Sequence, residues 1–581
     1  NGVDRKGSPM AAFFLFPRQA RIRTECQMPV QLEQARAKRI PLPPNGWTLA
    51  VLLALYIFTG LIGHDPWKND DALTIGVIHE MVATGNWLMP GLAGQPYPDD
   101  PLYYWVGATS SSLLSWLLPV HDAARLASGL FTLLALGFMF LAARELHGRE
   151  QATAAPLLLA GSIGFLFHAH EAQPMLATLT AHTAAYWSLA LLDRKPLRGA
   201  ACFGFALGLG FLANGLAPML PLLPAAAFAV WRSANRRRMA LLLLGSLLLA
   251  AVLGGWWLAF LYLAAPAYLT GLLQSELTQL GTNTQPLLNL RELLFMLPWY
   301  AWPAFPLAGW TLWAKRRQWT SVALALPIFA FVASLVIVSI TLGARSVPAL
   351  LLLPPLVLLA VPGVNSLRRG AANAFDWFGM ITFSLFALLA WTGWSAMVFG
   401  WPERLARQAV RLQPGFVGHF SALASGFAVL VTLLWCWLIA TSVRSPTRGI
   451  MHWMAGLTLF WLLIVTLWMP WIDYGKTYRH ASAALARALP EKRGCVAGVN
   501  LSDAIVASLD YFDGIRTVSA SPSDHRKCEL LLIHGSANES GVSVAGGWRQ
   551  IWEGGRPAER RESEKLHLYL REPRKGAMPG K

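Results

Sequence analysis

The sequence predicts a polytopic α-helical membrane protein of about 13 transmembrane helices, with amphipathic juxtamembrane helices in the first external loop and a small C-terminal αβ domain. Three observations predict it. Apolar runs of eighteen or more residues recur between residues 46 and 472. Of 581 residues 55% are apolar and only 14% charged, where a soluble domain carries about 25% charge. Beyond residue 472 the pattern changes to short apolar runs alternating with helix-like pieces. The net charge of +17 would suggest a nucleic-acid partner in a soluble chain. Here Lys and Arg fall between apolar runs, as cytoplasmic loops require, and the chain has no nucleic-acid-binding motif.

Taken in order, residues 1–45 are basic and interrupted by proline, and predict a disordered cytoplasmic tail, with Met10 and Met28 as candidate natural starts. The predicted spans are 46–63, 123–143, 150–168, 173–192, 199–215, 217–231, 238–263, 291–314, 319–341, 346–362, 374–399, 418–440 and 452–472. Segment 101–118 is also apolar, and charge decides against counting it. If it does not cross, the clusters at Arg144/Arg149, Arg194/Lys195/Arg198, Arg232/Arg236/Arg237/Arg238, Lys315/Arg316/Arg317, Arg368/Arg369 and Arg444/Arg448 all lie inside. It is therefore expected as an interfacial helix with Tyr103, Tyr104 and Trp105 at headgroup level. Arg404, Arg407 and Arg411 then fall outside, on an expected amphipathic helix. The membrane domain runs over 46–472, with a first external loop at 64–122, and a soluble periplasmic αβ domain occupies 473–581.

Within the first loop, Leu73, Val77 and Met81 recur every four residues and predict an amphipathic helix lying on the membrane, opened by Asn69-Asp70-Asp71. In the tail, runs at 495–499, 530–533 and 566–570 predict strands, and 481–489 and 503–512 predict helices; about 100 residues of this kind can fold alone. Cys495 and Cys528 open two of the strands, as a disulfide or as two buried thiols. Cys26, Cys202 and Cys436 show no metal spacing.

Asp70 and Asp71 begin a helix at the water–lipid boundary, where Asn and Asp are also ordinary helix openers. A second acidic pair, Asp99 and Asp100, shares the loop, and clustered carboxylates there suit divalent-metal binding or activation of an acceptor. His168, His170 and Glu171 lie at the outer end of a span and are expected to face the same cavity as ligands or polar contacts. Asp70, His170 and Glu171 are the candidates for a metal. Arg345, at an outer helix end, is the candidate cation for a lipid phosphate, or a snorkelling residue.

Asp70-Asp71-Ala72-Leu73-Thr74, the run from His79 to Pro90, Gly94-Gln95-Pro96-Tyr97 and Leu102-Tyr103-Tyr104-Trp105 resemble the first external loop of the C-type membrane glycosyltransferases. The greatest similarity is to the branch with the lipid A aminoarabinose transferase and the protein O-mannosyltransferases. Arg125-Leu126-Ala127-Ser128, the stretch 208–215 and the stretch from Pro348 to Pro355 look similar too. The resemblance implies Asp70 as the key aspartate, Asp71 as the acidic residue that follows, and Tyr103 among the substrate contacts. Two departures stand out. Asp99-Asp100-Pro101 replaces the family's Lys-Pro-Pro signature, and Glu171 or a histidine must replace an aspartate of the second external loop.

What the resemblance implies is transfer of a sugar from a polyprenyl-phosphate donor to a lipid or glycan acceptor, with inversion, in the bacterial inner membrane and by a monomer. A lipid or solute transporter is the rival class, and a non-catalytic envelope subunit a third. Against transport, the spans hold almost no ionisable residues, the acidic residues sit in a loop, and an αβ tail would be unexplained.

Overall fold

Proline and glycine inside the apolar runs decide which of them become single long helices. The computed structural model describes residues 46–67, 69–281, 285–443, 445–491, 494–519, 528–535, 547–557, 559 and 564–572. The tail at 1–45, with Cys26, and Lys68 and Arg444 lie outside the described residues. Eight described helices are long and apolar enough to cross a membrane: Val120–His147, Pro196–Asn214, Arg236–Ala264, Val322–Thr341, Pro348–Ser366, Arg369–Phe399, Ala422–Thr441 and Arg448–Lys476.

The other five predicted spans are short or broken. Residues 46–63 give only Gly46–Phe58, and 173–192 gives Met175–Leu191 behind Pro174. Segment 150–168 breaks at Gly161 and Ser162 into separate short helices, the last being Ile163–His168. Segment 217–231 gives a short turn of helix and Leu222–Arg232, parted at Pro221, and 291–314 divides at Pro303 into Pro286–Tyr300 and Ala304–Ala314. Proline removes a backbone donor and clashes with the preceding turn, which an averaged hydropathy cannot register.

The first loop folds inward rather than lying flat. Its helix, Asp70–Thr84, was expected on the membrane surface, yet Ala72, Ile75, Val77, Ile78 and Met81 are all buried. The two-stranded hairpin β1 (Gly91–Leu92) and β2 (Gln95–Pro96) follows, then the helix Leu102–Leu114. Thirteen residues rise about 20 Å, too short to cross. Tyr103 and Tyr104 are fully buried rather than at headgroup level.

The C-terminal segment builds a five-stranded mixed sheet in the order β4 (Thr517–Ser519), β3 (Val496–Val499), β5 (Leu530–His534), β7 (Leu566–Arg571), β6 (Trp548–Gly554). The first three strands run parallel and the last two antiparallel to their neighbours. Cys495 and Cys528 are joined by a disulfide between the approaches to β3 and β5.

This segment has core clusters of its own and also packs directly on the first-loop helix. Its helix Asp503–Asp513 lies against the first-loop helix so closely that a Cβ on Gly76 would come within 2.6 Å of the Ala507 methyl. Polar bonds cross the same seam. Tyr511 Oη meets His121 Nδ1 at 2.6 Å, Arg516 reaches Glu80 at 3.2 Å, and Trp67 Nε1 donates to Asp473 at 2.8 Å. Asp65 accepts from Thr477 and from the Arg479 fork. Burial works against the Asp65 carboxylate, and Arg479 more than offsets it, holding the carboxyl below its usual range.

One buried carboxylate ties these parts together. Asp71 accepts four hydrogen bonds: from Arg125 Nε (3.0 Å) and Ala172 N (2.7 Å) on one oxygen, and from Arg125 Nη2 and Trp67 N (2.9 Å each) on the other. Arg125 is fully buried and spends its remaining donors on the His64 and Asp65 carbonyls and on Asp122. Burial raises the cost of charge on Asp71, but the guanidinium prevails and keeps its pKa below the ordinary carboxylate range.

Two outcomes follow from this packing. Asp71→Asn strands a buried guanidinium, costing about 3–5 kcal/mol; the thermal midpoint and the yield of folded protein in membranes fall sharply, and Arg125→Lys, which lacks the fork, falls with it. A midpoint within a degree or two of wild type for Asp71→Asn would show that the pair is dispensable. Cys495→Ser opens a 33-residue loop and lowers the stability of the C-terminal sheet by about 3–4 kcal/mol. Denaturant unfolding followed by tryptophan fluorescence of Trp548 and Trp552, with and without reductant, measures it; identical curves would show that the crosslink contributes nothing.

Candidate functional site

The cavity that gathers the predicted chemistry has a volume of about 770 Å³ and is walled by five stretches of chain. Asn69, Asp70 and Leu73 form one wall, and His168, Glu171 and Met175 a second. Thr341 to Pro348, with Arg345, form a third, and Ser502, Asp503 and Ala504 come from the C-terminal segment. Asn214 and Pro218 complete it.

Local structure explains each placement. Asn69 adopts a positive φ of 75°, a conformation that asparagine tolerates better than most residues, so the helix starts abruptly at Asp70. Asp70 is exposed to the cavity, and its Oδ2 accepts a 2.9 Å bond from Gln173 Nε2. Gln173 is itself buried, and its Oε1 accepts from Met175 N. The neighbouring Ala172 N is held by Asp71, so the same carboxylate that anchors the helix brings Glu171 and Gln173 alongside Asp70.

Tyr300 links the second and third walls. Its ring fills the space a Cβ on Gly164 would need, at 2.2 Å, and its hydroxyl donates to Ser346 O at 2.6 Å. That fixes the short helix ending at His168 against the turn carrying Arg345. His168 Nδ1 is buried without a hydrogen bond and lies 3.6 Å from Glu171, too far for one. Among the described residues Arg345, Asp70 and Asp503 have no ion-pair partner.

Of the residues predicted from sequence, the structure brings Asp70, His168, Glu171 and Arg345 together and leaves the others elsewhere. Asp71 has no free acceptor capacity and is structural. His170 is buried, with Nδ1 on the Leu166 carbonyl (2.7 Å) and Nε2 on that of Tyr56 (2.6 Å), so neither nitrogen can ligate a metal. Among the described residues no three His, Cys, Asp or Glu side chains form a metal-binding group, so the set Asp70, His170 and Glu171 does not fit one. Tyr103 is stacked on Phe131 and bonded to Ser128 Oγ, away from the cavity.

Asp99 and Asp100 form a separate buried cluster. Asp99 accepts from Tyr104 Oη at 2.5 Å, and its backbone N–H donates to Tyr268 Oη at 3.2 Å. Burial pushes both carboxyls above their ordinary range, and in Asp100 the neighbouring Asp99 adds to it. The replacement of Lys-Pro-Pro therefore does not put a second acidic pair into the cavity.

Gln173, Asn214, Ser502 and Asp503 were missed. Gln173 bonds Asp70 across 103 residues of sequence, which no local pattern records. The only sequence trace of the Asp503 contact is the small-residue pair Gly76 and Ala507, which lets two helices touch.

Comparison with known proteins agrees with this geometry. Residues 96–278 match the family of dolichyl-phosphate-mannose-protein mannosyltransferases. The undecaprenyl phosphate-α-4-amino-4-deoxy-L-arabinose arabinosyl transferase of Edwardsiella ictaluri is 32% identical over 211 residues, 34% of this chain and 37% of that protein. So the match spans little more than a third of that relative's length. A second such transferase, from Pseudomonas fluorescens, is 26% identical over 72% of this chain and 71% of its own. The crystal structure of ArnT from Cupriavidus metallidurans bound to undecaprenyl phosphate superposes with a TM-score of 0.62 at 16% identity, covering 90% of this chain and 98% of that one. The chain is thus similar in sequence to the mannosyltransferase family over residues 96–278 and to the aminoarabinose transferases, and similar in fold to ArnT.

Proposed function

We propose that the chain is a membrane glycosyltransferase that moves a sugar from a polyprenyl-phosphate donor to an acceptor such as lipid A or another envelope glycan, with inversion. The observation that carries this reading is the cavity in which an exposed carboxylate, Asp70, and a guanidinium without an ion-pair partner, Arg345, share one polar space. The names of the relatives point to the same donor class.

The helix Pro196–Asn214 joins two environments. Asn214 lines the polar cavity, while Leu207 and Phe211 line an apolar cleft of about 340 Å³ with Met219 and Leu223. A prenyl chain would lie in the cleft and its phosphate in the cavity, where Arg345 holds it. In the transfer step the acceptor oxygen bonds to the anomeric carbon as the bond from that carbon to the phosphate oxygen breaks. The phosphate leaves with the bonding electrons, and Arg345 stabilises the charge that develops. Asp70 orients the acceptor and takes its proton when the acceptor is a hydroxyl; an acceptor already ionised needs positioning only.

Basic residues support the orientation. Arg144 lies near the end of the helix that begins beside Asp122, and Arg198 begins the helix that ends at Asn214, so these cations lie at the end away from the cavity. By the positive-inside rule that end is cytoplasmic, and the cavity and C-terminal segment are periplasmic.

Purified protein given radiolabelled polyprenyl-phosphate pentose and lipid A transfers label to the acceptor. Asp70→Asn loses at least about a hundredfold in rate with an unchanged thermal midpoint, because its carboxylate faces the cavity; turnover near that of wild type would refute the assignment. Arg345→Ala raises the donor KM, with partial recovery in Arg345→Lys. Gln173→Leu removes the anchor of Asp70 together with the bond from Met175 N, and kcat falls about tenfold with the donor KM nearly constant. An equal effect on both constants would show instead that Gln173 binds the donor.

A further inference from the structure

We propose that the helix Glu403–Leu412 is a docking surface for anionic phospholipid: its arginines bind headgroup phosphates in the membrane leaflet on the cavity side, while its other face enters the acyl chains. The surface lies apart from the cavity and would act the same whatever reaction the cavity serves.

Helical geometry sorts this stretch into two faces. At about 100° per residue, Arg404, Arg407 and Arg411 fall within a sector of about 60°, and Leu405, Ala409 and Leu412 fall opposite. All three arginines are exposed. Arg407 meets Glu403, one turn back on the same helix, at 3.2 Å, and among the described residues Arg404 and Arg411 have no ion-pair partner. The apolar face is bare as well, with Leu405 45% and Leu412 48% exposed. Trp401 and Phe420, on either side of the helix, are 70% and 58% exposed. A surface that bares guanidinium groups on one side and large apolar side chains on the other suits neither water nor hydrocarbon alone. The headgroup layer of a membrane meets both needs.

The chain around the helix fixes its place. Tyr474 Oη donates to Pro414 O at 3.1 Å, and the Gln413 amide occupies the space that a Cβ on Gly475 would need. Asp473, next to Tyr474, accepts from Trp67, whose own N–H is held by Asp71, so the helix stands at the cavity end of the bundle. It joins Arg369–Phe399 to Ala422–Thr441, two apolar helices exposed along most of their length. Leu389 on the first is 54% exposed and Leu423 on the second 86%, so the surroundings of the short helix are a lipid-facing belt, which favours a lipid occupant over a soluble protein. Arginines are scarce in loops on the side away from the cytoplasm, and three within ten residues need a counter-charge that one glutamate does not supply. A headgroup phosphate supplies it, since a guanidinium can donate two parallel bonds to phosphate oxygens. In a zwitterionic headgroup an ammonium already offsets the phosphate, so the attraction belongs to anionic lipid.

The test is photocrosslinking of the purified full chain carrying Gln408→p-benzoylphenylalanine, beside the arginine face, in vesicles of phosphatidylcholine with a minor share of phosphatidylglycerol. Mass spectrometry of the adduct reads which lipid stands there. With the three arginines in place, phosphatidylglycerol is enriched in the adduct about fivefold over the vesicle composition, and raised salt reduces the enrichment. Combining Arg404→Gln, Arg407→Gln and Arg411→Gln abolishes it, whereas lysine at all three positions keeps most of it. Thermal midpoints confirm that the variants are folded. An adduct that mirrors the vesicle composition, or enrichment unchanged in the triple glutamine variant, overturns the proposal. So does the absence of any lipid adduct, which would put the helix in water. In vesicles that also hold lipid A, an adduct of lipid A to the exclusion of phosphatidylglycerol would overturn phospholipid docking and make the helix a docking surface for an acceptor.

Discussion

Everything at the working end of this molecule depends on the Asp71 carboxylate being held by Arg125 inside the fold. A buried carboxylate is costly unless its oxygens are saturated and its charge is met, and here four donors converge on two oxygens. Those donors come from the loop before the first-loop helix, from the start of a long apolar helix, and from the turn carrying Glu171 to Gln173. The fold can meet the cost only by bringing these three stretches together. Their meeting forms two walls of the cavity.

The same geometry explains why adjacent aspartates have different fates. Successive residues of a helix point about 100° apart. Asp71 faces inward and commits all its acceptor capacity to Arg125, Trp67 and Ala172, whereas Asp70 faces the cavity and is touched by one neutral amide. A carboxylate already tied to a guanidinium has little basicity or free geometry to offer a substrate. One oriented by an amide keeps an oxygen for it. The pair is thus one structural and one available group, positioned by a single helix start.

Much of this was legible in the chain. Membrane character, the first-loop helix, the non-crossing segment after residue 101 and the main strands of the tail follow from apolar periodicity and charge, which act locally. Asp70, His168, Glu171 and Arg345 were found because each is a polar group at the edge of an apolar run. What local pattern could not supply was partnership. His170 has the same sequence signature as His168, but one turns to two backbone carbonyls and the other to the cavity. Asp99 and Asp100 read as a second acidic pair, yet both are buried, with Asp99 bonded to Tyr104 of the next helix and to Tyr268 of a distant one. Five of the predicted spans fold as short or broken helices for a related reason, since hydropathy averages across the prolines and glycines that break helices.

The close fit of the C-terminal segment follows from the same economy of polar groups. Asp65, Glu80 and Trp67 stand on the face of the membrane part that meets it, and burying that face without partners would leave polar groups stranded. Arg479, Thr477, Arg516 and Asp473 of the segment supply the partners across the seam, which favours this register over a shifted one. Docking in that register sets the head of the helix Asp503–Asp513 at the cavity rim, because Ala507 must sit on Gly76. The contact that stabilises the seam therefore also completes the site, and a shift of one helical turn, about 5 Å, would lose both at once. A segment with its own sheet and disulfide thus supplies part of the cavity rim.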